Sequence, residues 1–214
     1  MSKIFLSTDE MLNKPTLLEG YEHVNRYWDR TFNCHAAKIL PGEFYVTDSG
    51  EMITTVLGSC VAACVRDKVY GVGGMNHFML PDGGGRSDGE CATSAARYGS
   101  YAMETLINEI IKHGGMRRNL ECKLFGGGQV LANMTDVGKR NIAFVRQYVL
   151  DENIAVVAED LGDIYPRRVV FFPNSGKAMV KRLVRLNNET IIEREQSYSG
   201  ELNHQPVANA VELF

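Results

Sequence analysis

The chain reads as an α+β protein with mixed sheets. Three features predict this. Val-, Thr- and Cys-rich runs with few helix formers lie on both sides of two helical segments, giving the order strands, helix, strand, helix, strands rather than a strict βαβ alternation. Pro173-Asn174-Ser175-Gly176 sits between two short apolar runs as a hairpin turn. With 214 residues, 44% hydrophobic and 23% charged, the chain fits one compact domain with appendages and disfavours disorder, collagen-like repetition or coiled coil.

Taken in order, residues 1 to about 35 mix charges, aromatics and helix formers (LLEGYEHVNRYWDR) with only a weak apolar period. They are expected to pack on the core as an extension ahead of a first strand at roughly Lys38 to Val46. The stretch from Met52 to Leu80 predicts strand, turn and strand: Val61 to Arg66, a break near Asp67-Lys68, then Val69 to Leu80, ended by Pro81-Asp82-Gly83-Gly84-Gly85. Between Cys91 and His113 the spacing of Met103, Leu106, Ile107 and Ile110 marks one buried helical stripe, with Gly114 as its stop.

A strand at Glu121 to Phe125 follows, then the turn Gly126-Gly127-Gly128 and a helix around Lys139 to Leu150 with Ile142, Val145 and Val149 on one face. Strands are expected at Ile154 to Glu159, Arg168 to Phe172 and Lys177 to Val184. From Asn187 to Phe214 there are five Glu against one Arg and no long apolar stripe, which reads as a loosely attached or partner-binding tail.

Composition excludes several functions. Lys+Arg 23 against Asp+Glu 26 gives a net charge of −3, so no global positive field draws the chain to nucleic acid or anionic lipid. The uncharged run Met52 to Val65 is 14 residues long, short of the roughly 20 that a spanning helix needs, and no membrane insertion is expected. The N-terminus meets Asp9 and Glu10 before any secretory-type apolar core, which predicts a cytoplasmic protein. Five cysteines, an odd number, read as free thiols in a reducing compartment.

None of the Gly clusters is followed by Lys-Ser or Lys-Thr, and Gly71-Val72-Gly73-Gly74 lacks the dinucleotide spacing, so their reading is turn geometry and close backbone approach. The basic stretch Arg167 to Arg185, with Phe171 and Phe172 inside it, reads as a solvated hairpin, because Lys181 and Arg182 point to opposite sides of a strand. For a metal, Cys60, Cys64 and His77 are the trio to consider. Residues four apart on a strand are about 13 Å apart, too far to share one ion, and no metal is expected.

Cys60 and His77 remain. If the two strands pair as a hairpin turning at Lys68-Val69, positions summing to 137 oppose one another, and Cys60 faces His77 at about 5 Å between backbones. Gly58-Ser59 precede the cysteine, where a flexible backbone can turn its N–H groups inward as an oxyanion pocket requires. A thiol beside an imidazole is the activated pair of cysteine hydrolases. Thr54 and Thr55 are the nearest hydroxyls that would orient the ring.

The segment ITTVLGSCVAACVRD (Ile53 to Asp67), followed by GVGGMNHFMLPD (Gly71 to Asp82), resembles the signature region of the CheD family, the chemoreceptor glutamine deamidases of bacterial chemotaxis. The likeness continues through RYGSYAMETLINEIIKHGG, FGGGQV with VGKRN, VAEDLGD and RRVVFFPNSGKAMVKRL, covering roughly Lys38 to Leu186. The resemblance implies a layered α/β sandwich like the catalytic domains of cytotoxic necrotizing factor-like deamidating toxins. It implies Cys60 as nucleophile, His77, seventeen residues later, as acid/base, and Thr54, six residues before the cysteine, as the third member.

It further implies deamidation of glutamines on the cytoplasmic helices of methyl-accepting chemotaxis receptors, no cofactor, and in some bacteria a CheC-type phosphatase partner. Residues 1–35 would then be an N-terminal extension, 36–186 the deamidase domain and 187–214 a C-terminal extension. Two rival readings stand beside it: a non-catalytic adaptor docking on receptor helices or on such a phosphatase, and a redox switch through Cys60 and Cys64.

Overall fold

The structure, a computed structural model, describes residues 14–81, 88–130, 137–184 and 189–204. Ten strands and three helices are formed among them: β1 (Asn25–Asp29), β2 (Cys34–Lys38), β3 (Phe44–Thr47), β4 (Met52–Leu57), β5 (Val61–Asp67), β6 (Gly73–Asn76), α1 (Asp88–Lys112), β7 (Leu120–Gly126), α2 (Val137–Asp151), β8 (Ala155–Leu161), β9 (Arg167–Phe172), β10 (Lys177–Arg182) and α3 (Glu189–His204). They build two five-stranded sheets, ordered β1-β2-β4-β9-β10 and β3-β6-β5-β7-β8. Each sheet is mixed, with β2 parallel to β4 in the first and β7 parallel to β8 in the second. The α+β class with mixed sheets is the one expected. Among the described residues no helix is long and apolar enough to cross a membrane.

One core cluster draws on both sheets and on the helices, joining Ile53, Leu57, Val169 and Phe171 of the first sheet to Val61, Val65 and Met75 of the second. The stripe foreseen on α1 is fully buried in that cluster, and each such side chain contributes about 2 kcal/mol. The helix ends where Gly114 takes φ +96° and the Gly115 N–H reaches back to the Ile110 carbonyl. The other face of the first sheet carries a smaller cluster of Ala36, Met52 and Val170. On β4, therefore, Ile53, Thr55 and Leu57 turn inward while Met52, Thr54 and Val56 turn outward, by ordinary strand alternation.

Several boundaries differ from expectation. The strand expected from Lys38 to Val46 is two strands, β2 and β3, separated by a turn at Pro41-Gly42 with Gly42 at φ +84°. The boundary expected at residue 35 falls inside β2, and β1 is tied to the body by Arg26, which pairs with the buried Glu51 at 2.8 Å. The second strand of the central hairpin shortens to Gly73–Asn76.

That hairpin is also displaced in register, since Cys64 faces Met75 and Val65 faces Gly74, so that opposed positions sum to 139 rather than 137. The cause is the turn: the Asp67 carboxylate accepts the N–H groups of Val69 and Tyr70, and Gly71 takes φ +77°, making a longer reversal than the assumed tight one.

The basic hairpin is not uniformly solvated. Lys181 and Arg182 are exposed, but Arg167 is fully buried, bonded to Asp160 and to the Gly162 carbonyl. Arg185 lies outside the described residues, as do Asp82 to Gly85 of the expected turn and the tail beyond His204. The described part of the tail forms α3, whose Glu195, Tyr198, Ser199 and Leu202 are buried.

Candidate active site

Cys60 ends the short loop between β4 and β5, and His77 follows β6. The loop is gripped from two sides. Gly127 and Gly128 donate their N–H groups to the carbonyls of Cys60 and Gly58 at 2.7 Å each, and the Asn141 amide of α2 donates to the Ser59 carbonyl while its oxygen accepts the Leu80 N–H. The Gly-rich turn is thus a close-packed support, because a Cβ on Gly126 would come within 2.2 Å of the Cys60 carbonyl oxygen. His77 is pinned through its backbone, its N–H on the Glu43 carbonyl and its carbonyl on the Gly42 N–H.

These constraints bring the expected pair together even though they are not directly opposed. A two-residue change of register preserves strand parity, so both side chains still enter the same space. The Cys60 Sγ, a His77 ring nitrogen and a Glu195 carboxylate oxygen lie within 4.8 Å of one another. Cys64, on β5, is not in the cluster; an extended strand places it about 13 Å along the chain from Cys60, outside disulfide reach.

The ring is oriented by Thr55, not by Thr54. Thr55 Oγ1 lies 2.8 Å from His77 Nδ1 and donates to the Ile39 carbonyl at 2.8 Å. With its single proton on Ile39, the hydroxyl must accept from Nδ1–H, which leaves Nε2 as the unprotonated nitrogen. Nε2 is buried and has no hydrogen-bond partner among the described residues. Thr54 points to the other face of β4, where its hydroxyl donates to the Val169 carbonyl and receives Arg168 Nε. The assignment of Thr54 beside the histidine is corrected by one residue, and strand alternation is the reason.

Gly58 and Ser59 do turn their N–H groups inward, and a carboxylate fills the resulting nest. Glu195 Oε1 accepts from Gly58 N at 2.8 Å and Cys60 N at 3.2 Å, while Oε2 accepts from Ser59 N at 2.8 Å and Ser59 Oγ at 2.7 Å. Four donors use the four lone-pair positions of the carboxylate, so Glu195 is bound here as an anion in a nest rather than turned toward a cation. Gly58 permits this approach, since a Cβ there would meet both Glu195 oxygens at 2.7 and 2.8 Å.

Both chemical groups are neutral in this arrangement. Burial pushes the Cys60 thiol well up, with the Glu195 charge adding to it, and burial holds His77 down at about 3. Cys60 has 0% and His77 1% exposure, and the seam beside the ring is a cavity of about 30 Å³ lined by Thr55, His77, Ile191, Arg194 and Glu195 among others.

Glu195 and Asn141 are the site residues that sequence reasoning did not single out. Glu195 carried one signal: Ile191, Tyr198 and Leu202 form a helical stripe whose missing member is this glutamate. Asn141 lies on α2 one position before Ile142 and offered none.

A family model described as CheD chemotactic sensory transduction matches residues 79–182. The chain is 57% identical over 192 residues to a probable chemoreceptor glutamine deamidase CheD of Methylobacillus flagellatus, covering 89% of this chain and 95% of the relative. A protein of the same name from Halorhodospira halophila is 55% identical over 203 residues, 94% of each chain, and one from Thiobacillus denitrificans 57% over 192 residues, 89% of this chain and 95% of that one. With a thiol, an imidazole and an anion nest assembled in one place and likeness of this extent along the chain, the protein belongs to the CheD family.

Proposed function

We propose that the chain deamidates glutamine side chains of methyl-accepting chemotaxis receptors by a thioester route, with Cys60 as nucleophile, His77 as acid/base and Thr55 as the group that orients the ring. The observation that carries this reading is the convergence of three backbone N–H groups, those of Gly58, Ser59 and Cys60, on carboxylate oxygens beside the thiol and the imidazole. Such a nest stabilises the negative oxygen of a tetrahedral adduct at the carbon that Cys60 attacks.

In the reaction His77 Nε2 takes the thiol proton as sulfur attacks the carboxamide carbon. The resulting imidazolium gives that proton to the departing nitrogen, releasing ammonia and leaving a thioester. Nε2 then takes a proton from water, hydroxide adds to the thioester carbon, and the thiol leaves with the proton returned. Glutamine and water become glutamate and ammonia. Thr55 keeps Nε2 aprotic at the start by holding the proton on Nδ1.

The finer expectations belong to the same proposal: a cytoplasmic location, a CheC-type phosphatase as a second partner, and kinship of the layered sandwich with cytotoxic necrotizing factor-like toxins. Incubating the protein with a receptor cytoplasmic fragment and mapping peptides by mass spectrometry tests the activity. Glutamine-to-glutamate conversion by the wild type and none by Cys60→Ala is the expected result. Binding without conversion by any variant would instead favour the non-catalytic adaptor.

A further inference from the structure

We infer that α3 is an intramolecular plug, in which Glu195 occupies the subsite of the reaction's product carboxylate and must withdraw before a substrate glutamine can enter. The inference rests on the glutaminase reading for the identity of that subsite, but the occlusion it describes stands on geometry alone.

A glutamate side chain is what the proposed reaction leaves behind, and here one lies in the nest with both oxygens fully bonded. It comes from 135–137 residues downstream, on a helix and not on the strands that build the site. A substrate amide fits less well, because its NH₂ would face the Ser59 N–H, donor against donor. The nest therefore favours the product form, and an internal glutamate exploits that preference.

The same contact silences the nucleophile. With α3 in place the thiol is fully buried, and the cavity beside His77 has room for about one water. No side-chain carboxamide can reach the sulfur while Glu195 is bound. The negative charge of Glu195, which adds to burial in keeping Cys60 protonated, is removed when the helix leaves.

The attachment of α3 has the character of a docked element. Besides Glu195, it is seated by Tyr198, whose hydroxyl bonds that of Tyr98 and whose ring lies against Gly42, and by Leu202 in the core cluster. On its two sides lie the exposed Glu193, Arg194, Gln196 and Ser197. A substrate helix presenting a glutamine would take the same seat.

The test is the rate of Cys60 modification by iodoacetamide in the full chain, read by peptide mass spectrometry, for wild type, Glu195→Ala and Tyr198→Ala, with receptor-fragment deamidation measured in parallel. Freeing a site that is open only part of the time raises its apparent rate by the inverse of the open fraction. The expected result is roughly tenfold faster labelling in Glu195→Ala and a several-fold rise in Tyr198→Ala, which keeps the nest's own carboxylate, with fragment turnover rising in step. Should Glu195→Ala fail to fold, as judged by circular dichroism, Tyr198→Ala carries the measurement.

Labelling at the wild-type rate in the folded variants overturns the inference. So does unchanged labelling with reduced fragment turnover, which would make α3 a working part of the site. Faster labelling with no fragment conversion by any variant leaves the plug standing and sinks the glutaminase reading.

Discussion

The site has two halves that are held in different ways. Thr55, Cys60 and His77 are carried by β4, the loop ahead of β5 and the segment after β6, locked by ladder hydrogen bonds and by the grip of Gly127, Gly128 and Asn141 on that loop. Glu195 arrives on a helix attached chiefly by side chains. Backbone pairing fixes position cooperatively across a sheet, whereas a helix docked through a few side chains opens at lower cost. The strand-borne half is built to stay, and the helix-borne half to leave.

Four comparisons break or sharpen that contrast. The largest effect belongs to the fixed half: Cys60→Ala should lower receptor-fragment deamidation by about three orders of magnitude or more while circular dichroism stays native. Retained activity would remove Cys60 from the mechanism. Next, Thr55→Val should reduce kcat by about ten- to a hundredfold by freeing the His77 tautomer, and Thr54→Val should leave turnover within a few-fold, costing about 1 kcal/mol of stability at its Val169 bond. The reverse order would restore Thr54 to the triad.

On the mobile half, Gly58→Ala places a methyl against both Glu195 oxygens and should speed Cys60 alkylation several-fold, with peptide mapping as the readout.

The smallest effect is on pH. His77, held at about 3 in the fold against an ordinary 6.5, binds its proton more readily when unfolded. Its contribution to stability is complete above 6.5 and is lost as pH falls toward 3. Melting temperatures from pH 7.5 to 4.5 should therefore fall more steeply for wild type than for His77→Gln, and equal slopes would contradict the burial of a neutral ring.

The same division decides what was legible in the sequence. The α1 stripe, the β9–β10 turn and the Cys60–His77 pairing were readable because each is a local pattern or survives a local error. The register was misread by two positions at Asp67, yet parity brought the pair together. Thr54 and Thr55 could not be separated by spacing, since the choice depends on which face of β4 meets the core, and that is set by β2 and β9 on either side. Glu195 was harder to read than the strand residues. Its one local mark is its place in the stripe of Ile191, Tyr198 and Leu202, and the N–H groups that bind it belong to backbone whose sequence says nothing of its partner. Arg167, likewise, reads as one more cation of a basic hairpin until the Gly162 carbonyl and Asp160 are placed against it.

The covalent tether of α3 has a quantitative consequence. Because Glu195 is part of the same chain, it competes for the nest at an effective concentration on the order of millimolar, independent of how much protein is present. Dilution does not relieve it. A freely diffusing glutamine peptide at micromolar level is outcompeted, while a substrate helix that adds contact area beyond one side chain competes on better terms. If α3 plugs the site as inferred, the helix sets a threshold that a single glutamine side chain does not pass and that a glutamine carried on a larger docking surface does.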